Sequence, residues 1–247
     1  MPLQCLVLGG GVGERMLPAT ETLPKPLLPV AGEPFVVHQL RWLAAEGVTD
    51  IVYSIGYLGH LIRGELDGRD DLGCSVRFVD DGATLVGTGG AARRAVDEGA
   101  LDGTFFVLYG DSYLQLDLRA VVDTFEHSGA EALMTLYLND GAWDRSNAVF
   151  DGRRIVRYDK SEPEPAAAGM RHIDYGLSIL RRDTVSSRVP AGRPSDLAEL
   201  FRALSLEGRL AGYEADRRFF EIGSPGGLAD LIHHLAPEPF DDDDTHR

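Results

Sequence analysis

The chain has 247 residues and a formal charge of −15, set by 39 acidic against 24 basic side chains, of which 22 are Arg and two are Lys, Lys25 and Lys160. At roughly 150 residues per domain this length fits one large α/β domain with an elaboration, and 44% apolar residues supply an ample core, so disordered and fibrous classes are excluded. So negative a balance, with no basic stripe, argues against nucleic acid or an anionic membrane as partner, and no apolar run approaches the ~18 residues of a spanning helix. The opening MPLQCLVLGGG has neither a positive n-region nor a cleavage site, so the expected compartment is the cytoplasm. Cys5 and Cys74 lack metal or redox spacing and read as reduced, buried thiols.

In chain order, short apolar runs alternate with amphipathic stretches. Strands are expected at Leu3–Leu8, Ile51–Ile55, Ser75–Val79, Phe105–Tyr109 and Ala132–Leu138, and helices at Pro34–Ala45, Leu58–Leu66, Ala91–Val96 and Leu118–His127. This alternation predicts a mostly parallel sheet with helices on both faces, whose ligands sit beyond the carboxyl ends of the strands. The second half changes character. Strands are expected at Asn147–Asp151, Ile155–Tyr158 and His172–Leu180, with a mobile loop at Ser161–Gly169. Ser195 and Ser224 read as N-caps of helices Asp196–Leu204 and Pro225–Leu235, and Asp241–Asp244 as a solvated acidic tail. No internal repeat and no domain linker stands out.

Directly after the first strand comes Gly9-Gly10-Gly11-Val12-Gly13-Glu14-Arg15-Met16, then Leu23-Pro24-Lys25-Pro26-Leu27-Leu28-Pro29-Val30. Glycines let backbone N–H groups approach phosphate oxygens without a positive surface, although a tight strand-to-helix turn would use them equally well. A P-loop fails because no Gly-Lys-Ser/Thr follows. A dinucleotide fingerprint fails because Glu14 stands where its third glycine belongs. Prolines on both sides of Lys25 restrict the backbone there, a device suited to aiming an ammonium group.

This composite resembles the signature of the sugar-1-phosphate nucleotidylyltransferases. The resemblance implies a Rossmann-like α/β fold with a smaller inserted β-rich sugar-binding part. It divides the chain into a nucleotide-binding part at about 1–138, a sugar-binding part at about 139–222, a C-terminal helix at 224–235 and a tail at 241–247, with the transferase domain ending near 240. It implies that Leu8, Gly10, Gly11 and Gly13 grip the nucleotide, that Arg15 holds the departing phosphates and that Lys25 reaches the reacting centre. Asp111, in a Gly-Asp pair ending a strand, would hold Mg²⁺, which such a transfer needs to offset charge on crowded phosphate oxygens. Glu221, in Phe220-Glu221-Ile222-Gly223-Ser224-Pro225, takes the place of the family's second metal carboxylate. Asp159 and Lys160 would bind the sugar 1-phosphate, supported by Asp174 and Gly176. Base recognition falls to the loop from Asp80 or Asp81 through Gly87 and Thr88.

The reaction implied is Mg²⁺-dependent transfer of a nucleotidyl group from a nucleoside triphosphate to a sugar 1-phosphate, releasing pyrophosphate. The wording Gly87-Thr88-Gly89-Gly90-Ala91 resembles the heptose-1-phosphate guanylyltransferase and muramate-1-phosphate uridylyltransferase branches. A homo-oligomer is expected by the same resemblance. Two alternatives stay open: a cytidylyltransferase or cofactor nucleotidylyltransferase with a similar glycine loop and another acceptor, and a non-catalytic nucleotide-sugar-binding regulatory subunit, suggested by the departures from the family pattern at Glu14 and Glu221. The seven histidines, His233-His234 included, show no metal spacing.

Overall fold

The computed structural model describes residues 4–82 and 84–236, so the acidic tail at 241–247 lies outside the described residues. Among the described residues thirteen strands are found in chain order: β1 Gln4–Leu8, β2 Pro29–Val30, β3 Glu33–Pro34, β4 Asp50–Ile55, β5 Ser75–Asp80, β6 Thr104–Tyr109, β7 Ser112–Tyr113, β8 Ala132–Leu138, β9 Ala148–Phe150, β10 Ile155–Tyr158, β11 His172–Arg181, β12 Leu210–Ala215 and β13 Phe220–Glu221. Seven helices accompany them: α1 Phe35–Ala45, α2 Gly59–Leu66, α3 Gly87–Asp97, α4 Leu118–Ser128, α5 Arg182–Arg188, α6 Leu197–Leu206 and α7 Pro225–Leu235. No helix among the described residues is long and apolar enough to cross a membrane.

Across the main sheet the order is β5-β4-β1-β6-β11-β8-β12, and every strand but β11 runs the same way. β9 pairs with the start of β11, and β10 with β9, as an antiparallel extension. Because β11 is reversed, its first residues lie at the edge where β6 and β8 end: His172 pairs with Leu138, and Leu177 with Leu108.

Successive strand residues point to opposite faces, and the core divides accordingly. Cys5, Val7, Ile51, Tyr53, Phe106 and Leu108 pack under α1, α2 and α4, whereas Leu6, Val52, Phe105, Val107 and Met134 pack under α3, α5 and α6. A third, smaller cluster of Val30, Phe35, Phe220, Ile222 and Leu231 seats α7. Burial pushes the Cys5 thiol far above the usual range, as expected for an inert core cysteine.

Three local expectations are corrected. α3 starts at Gly87, four residues before the predicted Ala91, because its first turn is packed against the chain at Ser195. Asp196 caps α6 by accepting from Ala198 N, while Ser195 is committed to α3. β12 and α5 were not anticipated. Ser224 does cap α7, its Oγ accepting from Gly227 N at 3.1 Å, and the segment 161–169 is wound into successive turns.

Candidate active site

The carboxyl edge of the sheet opens into a cleft of about 1320 Å³ that takes in the glycine loop, the ends of β5 and β6, the start of β11 and the turn before α7. Leu8, Gly10 and Gly11 line it, and a Cβ on Gly11 would meet nothing within 4 Å, so that backbone stands open to a ligand. Gly13 does not line the cleft. Its φ of +70° makes it the left-handed cap of the short turn Glu14–Met16, and its carbonyl accepts from Thr20 Oγ1. That turn leaves Glu14 exposed and outside the cleft while Arg15 lines it, so no carboxylate is driven against the ligand side.

Lys25 sits on a 3-10 turn entered through Pro24 and donates to Asp111 Oδ2 at 2.7 Å, with both side chains largely covered. Asp111 is held by two main-chain devices. Buried Gln39 of α1 donates to the carbonyls of Tyr109 and Ser112, and Ile222 N donates to Asp111 O at 3.0 Å. The second device continues as the β7–β13 pair, in which Glu221 lies opposite Ser112.

The result is a convergence around Gly223. A Cβ there would lie 2.7 Å from Glu221 Oε2, 2.8 Å from Arg15 Nη2 and 3.2 Å from Asp111 Oδ2. The two carboxylate oxygens are therefore separated by no more than the sum of their distances to that point, and glycine leaves the room between them clear. Among the described residues no group of three or more His, Cys, Asp or Glu forms a protein cage for a metal. Two hard oxygen donors beside an open space fit Mg²⁺, which takes one or two carboxylates together with phosphates and water. Glu221 also accepts from Gly223 N and Ser224 Oγ, which orients its carboxylate against the first turn of α7.

On the opposite side, Lys160 and Asp174 line the cleft, their charged atoms 3.8 Å apart. Asp174 Oδ2 accepts from the hydroxyls of Tyr109 and Tyr158, each at 3.1 Å, and Oδ1 accepts from Gly176 N. Burial, reinforced by the Asp174 carboxylate, pushes both phenols well above their ordinary range, so they stay protonated donors. Lys160 also lies over the Tyr109 ring, 5.1 Å from its centroid. Asp159 is not part of this group. Its carboxylate closes a turn by accepting from Ser161 N and Oγ, pairs with Arg202 and does not line the cleft; the Ser161 bonds hold its pKa down.

At the β5 end, Asp80 is likewise turned to its own loop, accepting from Gly82 N, and lies outside the cleft. Its neighbour Asp81 lines the cleft, is 7% exposed and accepts from Ser54 Oγ at 2.6 Å, while its Oδ1 has no partner among the described residues. Burial raises its pKa. Gly87 and Thr88 line the cleft, but the amides of Gly89 and Gly90 both donate to Ser195 O and the Thr88 hydroxyl donates to Asp196. The start of α3 is thus capped from within the molecule.

The family model described as "Nucleotidyl transferase" matches residues 4–145, more than half of the chain. The chain belongs to the nucleotidyl transferase family. Relatives include mannose-1-phosphate guanylyltransferase of Mycobacterium tuberculosis, 29% identical over 96% of this chain and 67% of its own length, and mannose-1-phosphate guanyltransferase of Aspergillus oryzae, 27% identical over 90% and 61%. This chain therefore spans about two thirds or less of the length of these curated relatives. Among solved structures, HddC from Yersinia pseudotuberculosis aligns with a TM-score of 0.77 at 21% identity, covering 95% of this chain and all of that one. UDP-glucose pyrophosphorylase from Acinetobacter baumanii gives 0.81 at 17% identity, covering 95% and 93%. At such identities they establish the shared fold.

Several cleft features of this nucleotidyl transferase escape sequence reasoning. Gln39, Tyr109 and Tyr158 act through long-range contacts that no local spacing signals. Asn147, whose Oδ1 accepts from Asp174 N, stood only as the start of a strand. Trp143, which meets Arg218 in the lining of the cleft, belongs to no motif.

Proposed function

We propose that this chain transfers a nucleotidyl group from a nucleoside triphosphate to a sugar 1-phosphate, with GTP and mannose 1-phosphate as the first pair to test. The observation that carries the reading is the convergence of Arg15, Asp111 and Glu221 around Gly223, with Lys25 on Asp111 and Lys160 in the same cleft. In this reading the donor half is residues 1–138 and the acceptor half 139–222.

The open backbone of Gly10 and Gly11 binds the triphosphate, and Arg15 and Lys25 supply the positive charge that the molecule as a whole lacks. Lys160 draws in the acceptor phosphate, with Asp174 and its two tyrosines fixing the ammonium and offering acceptors to sugar hydroxyls. An oxygen of that phosphate attacks the α-phosphorus; the new O–P bond forms as the bond to the β-phosphate oxygen breaks, and pyrophosphate leaves. At neutral pH the attacking oxygen carries no proton, so no general base is required. Positioning and charge neutralisation suffice. Mg²⁺ held by Asp111 and Glu221 would neutralise charge developing on the phosphate oxygens.

Guanine is favoured by Asp81 in the cleft lining, since a carboxylate accepts well from the adjacent N–H donors of that base. The names of the guanylyl-transferring relatives, and a structure of HddC complexed with GMP-PN, agree with this choice. The test is pyrophosphate release across four nucleoside triphosphates and common hexose 1-phosphates, with and without EDTA. Metal-dependent release with GTP as best donor is expected; no release from any pair would remove the assignment. A second reading, a non-catalytic nucleotide-sugar sensor, is favoured by the engagement of both Glu221 oxygens in its own turn. Tight nucleotide binding without turnover would select it.

A further inference from the structure

Trp143 is one of two tryptophans, and it is 53% exposed, whereas Trp42 packs against the main core. Its exposure does not come from a slack loop. Asn139, 2% exposed, accepts from Trp143 N with its side-chain oxygen, and its side-chain amide donates to Asp144 O at 2.6 Å and to Ser146 Oγ at 3.1 Å. One face of the indole is covered by Arg218, whose guanidinium carbon stands 3.9 Å from a ring centroid. Arg218 is itself fixed, lying over Phe220 at 4.5 Å and bonded to Asp230 at 2.9 Å. The structure thus holds a large apolar surface rigidly at the mouth of a ligand cleft, backed on one side and open on the other.

We propose that Trp143 is a specificity-determining wall of the acceptor half, its open indole face receiving the apolar C–H face of a pyranose ring. This rests on the nucleotidyl-transfer reading above. Position assigns the wall to the acceptor. Asp81 follows β5 and Trp143 follows β8, five strands away in the sheet, a separation of roughly 24 Å at about 4.8 Å per strand. A base seated against Asp81 is out of reach. The acceptor group is close: Asp174 pairs with Leu136 near the end of β8, and Asn147, at the far end of the Trp143 loop, binds Asp174 N. Lys160 attracts a phosphate whatever it is attached to, so discrimination for a sugar needs a second surface that recognises the ring. A flat aromatic face does this at small entropic cost.

The test uses tryptophan emission of the whole protein, titrated with mannose, glucose and galactose 1-phosphates, with inorganic phosphate and with GTP alone. At least one hexose 1-phosphate should change the emission, inorganic phosphate should not, and the change should vanish in Trp143→Phe, where Trp42 alone remains. Trp143→Ala should raise the KM for the acceptor about three- to tenfold with no change in the KM for the nucleotide, and Trp143→Phe should recover most of the loss. A response only to GTP, an equal response to inorganic phosphate, no response to any hexose phosphate, or an unaltered acceptor KM in Trp143→Ala would overturn the proposal. Failure of the transfer reading is separate: it would show as no pyrophosphate release by the wild-type chain, and the emission titration would still decide whether Trp143 meets the sugar.

Discussion

Asp81 is a buried carboxylate with one oxygen unbonded among the described residues, an arrangement that costs stability. Its pKa is raised on folding by burial, so the penalty is absent while the group is protonated and sets in as pH rises through the folded value. Asp81→Asn should therefore melt higher than the wild type at pH 7, with the gap narrowing as pH falls toward the ordinary carboxylate range of about 4. In the same variant, preference for GTP over other nucleotides should fall about ten- to hundredfold, read as the ratio of kcat/KM values. A variant that lost no stability gap at low pH would contradict the burial argument; one that kept its base preference would free Asp81 from the base. Asp111→Asn keeps size and main-chain bonds but removes charge from the convergence with Glu221. Turnover should fall at least about 100-fold while the circular dichroism spectrum shows the fold retained.

At the level of elements, the glycine-rich start of α3 is tied to the chain that enters α6 through the carbonyl of Ser195. Gly87 has φ +72°, and a Cβ there would lie 2.3 Å from Ser195 O, the carbonyl that caps Gly89 and Gly90. Gly87→Ala combines a left-handed strain with a steric overlap and should cost about 2 kcal/mol or more, lowering the melting temperature by roughly 4–8 °C. An unshifted melt would mean this tie is looser than its geometry indicates. The same segment marks where sequence reading stops. β1, β4, β5 and β6 were legible because each carries its own run of apolar residues, and the Pro-Lys-Pro turn because proline acts locally. Gly87 and Thr88 do line the cleft, but the commitment of Gly89 and Gly90 to Ser195 was hidden because glycine serves close backbone approach to phosphate and to protein alike. β12 was missed because its Gly212 fits Phe150, whose ring a Cβ would meet at 2.4 Å. The choice of Asp81 over Asp80, and of Asp174 over Asp159, depends on which way a side chain leaves its strand end, and adjacent acidic residues hide that.

For the whole molecule, the net charge of −15 and the local cations act over different ranges. At about 10 mM ionic strength the Debye length of ~30 Å lets an approaching nucleotide feel the entire acidic surface, whereas at about 150 mM the range is ~8 Å and the charges nearest the cleft dominate. Nucleotide association should therefore quicken between these conditions, measurable by stopped-flow with a fluorescently labelled nucleotide; a steep slowing would show that Arg15 and Lys25 govern long-range approach. The main-chain bond between Ile222 and Asp111 also has a consequence for the timing of synthesis. At about 5–20 residues per second, something like 6–20 s passes on the ribosome between the appearance of the two positions. The glycine loop and Lys25 are made first, and the partner that fixes Asp111 comes long afterwards. A nascent chain can thus assemble its first parallel strands well before Asp111 is fixed, and that fixing waits for a segment made long after it.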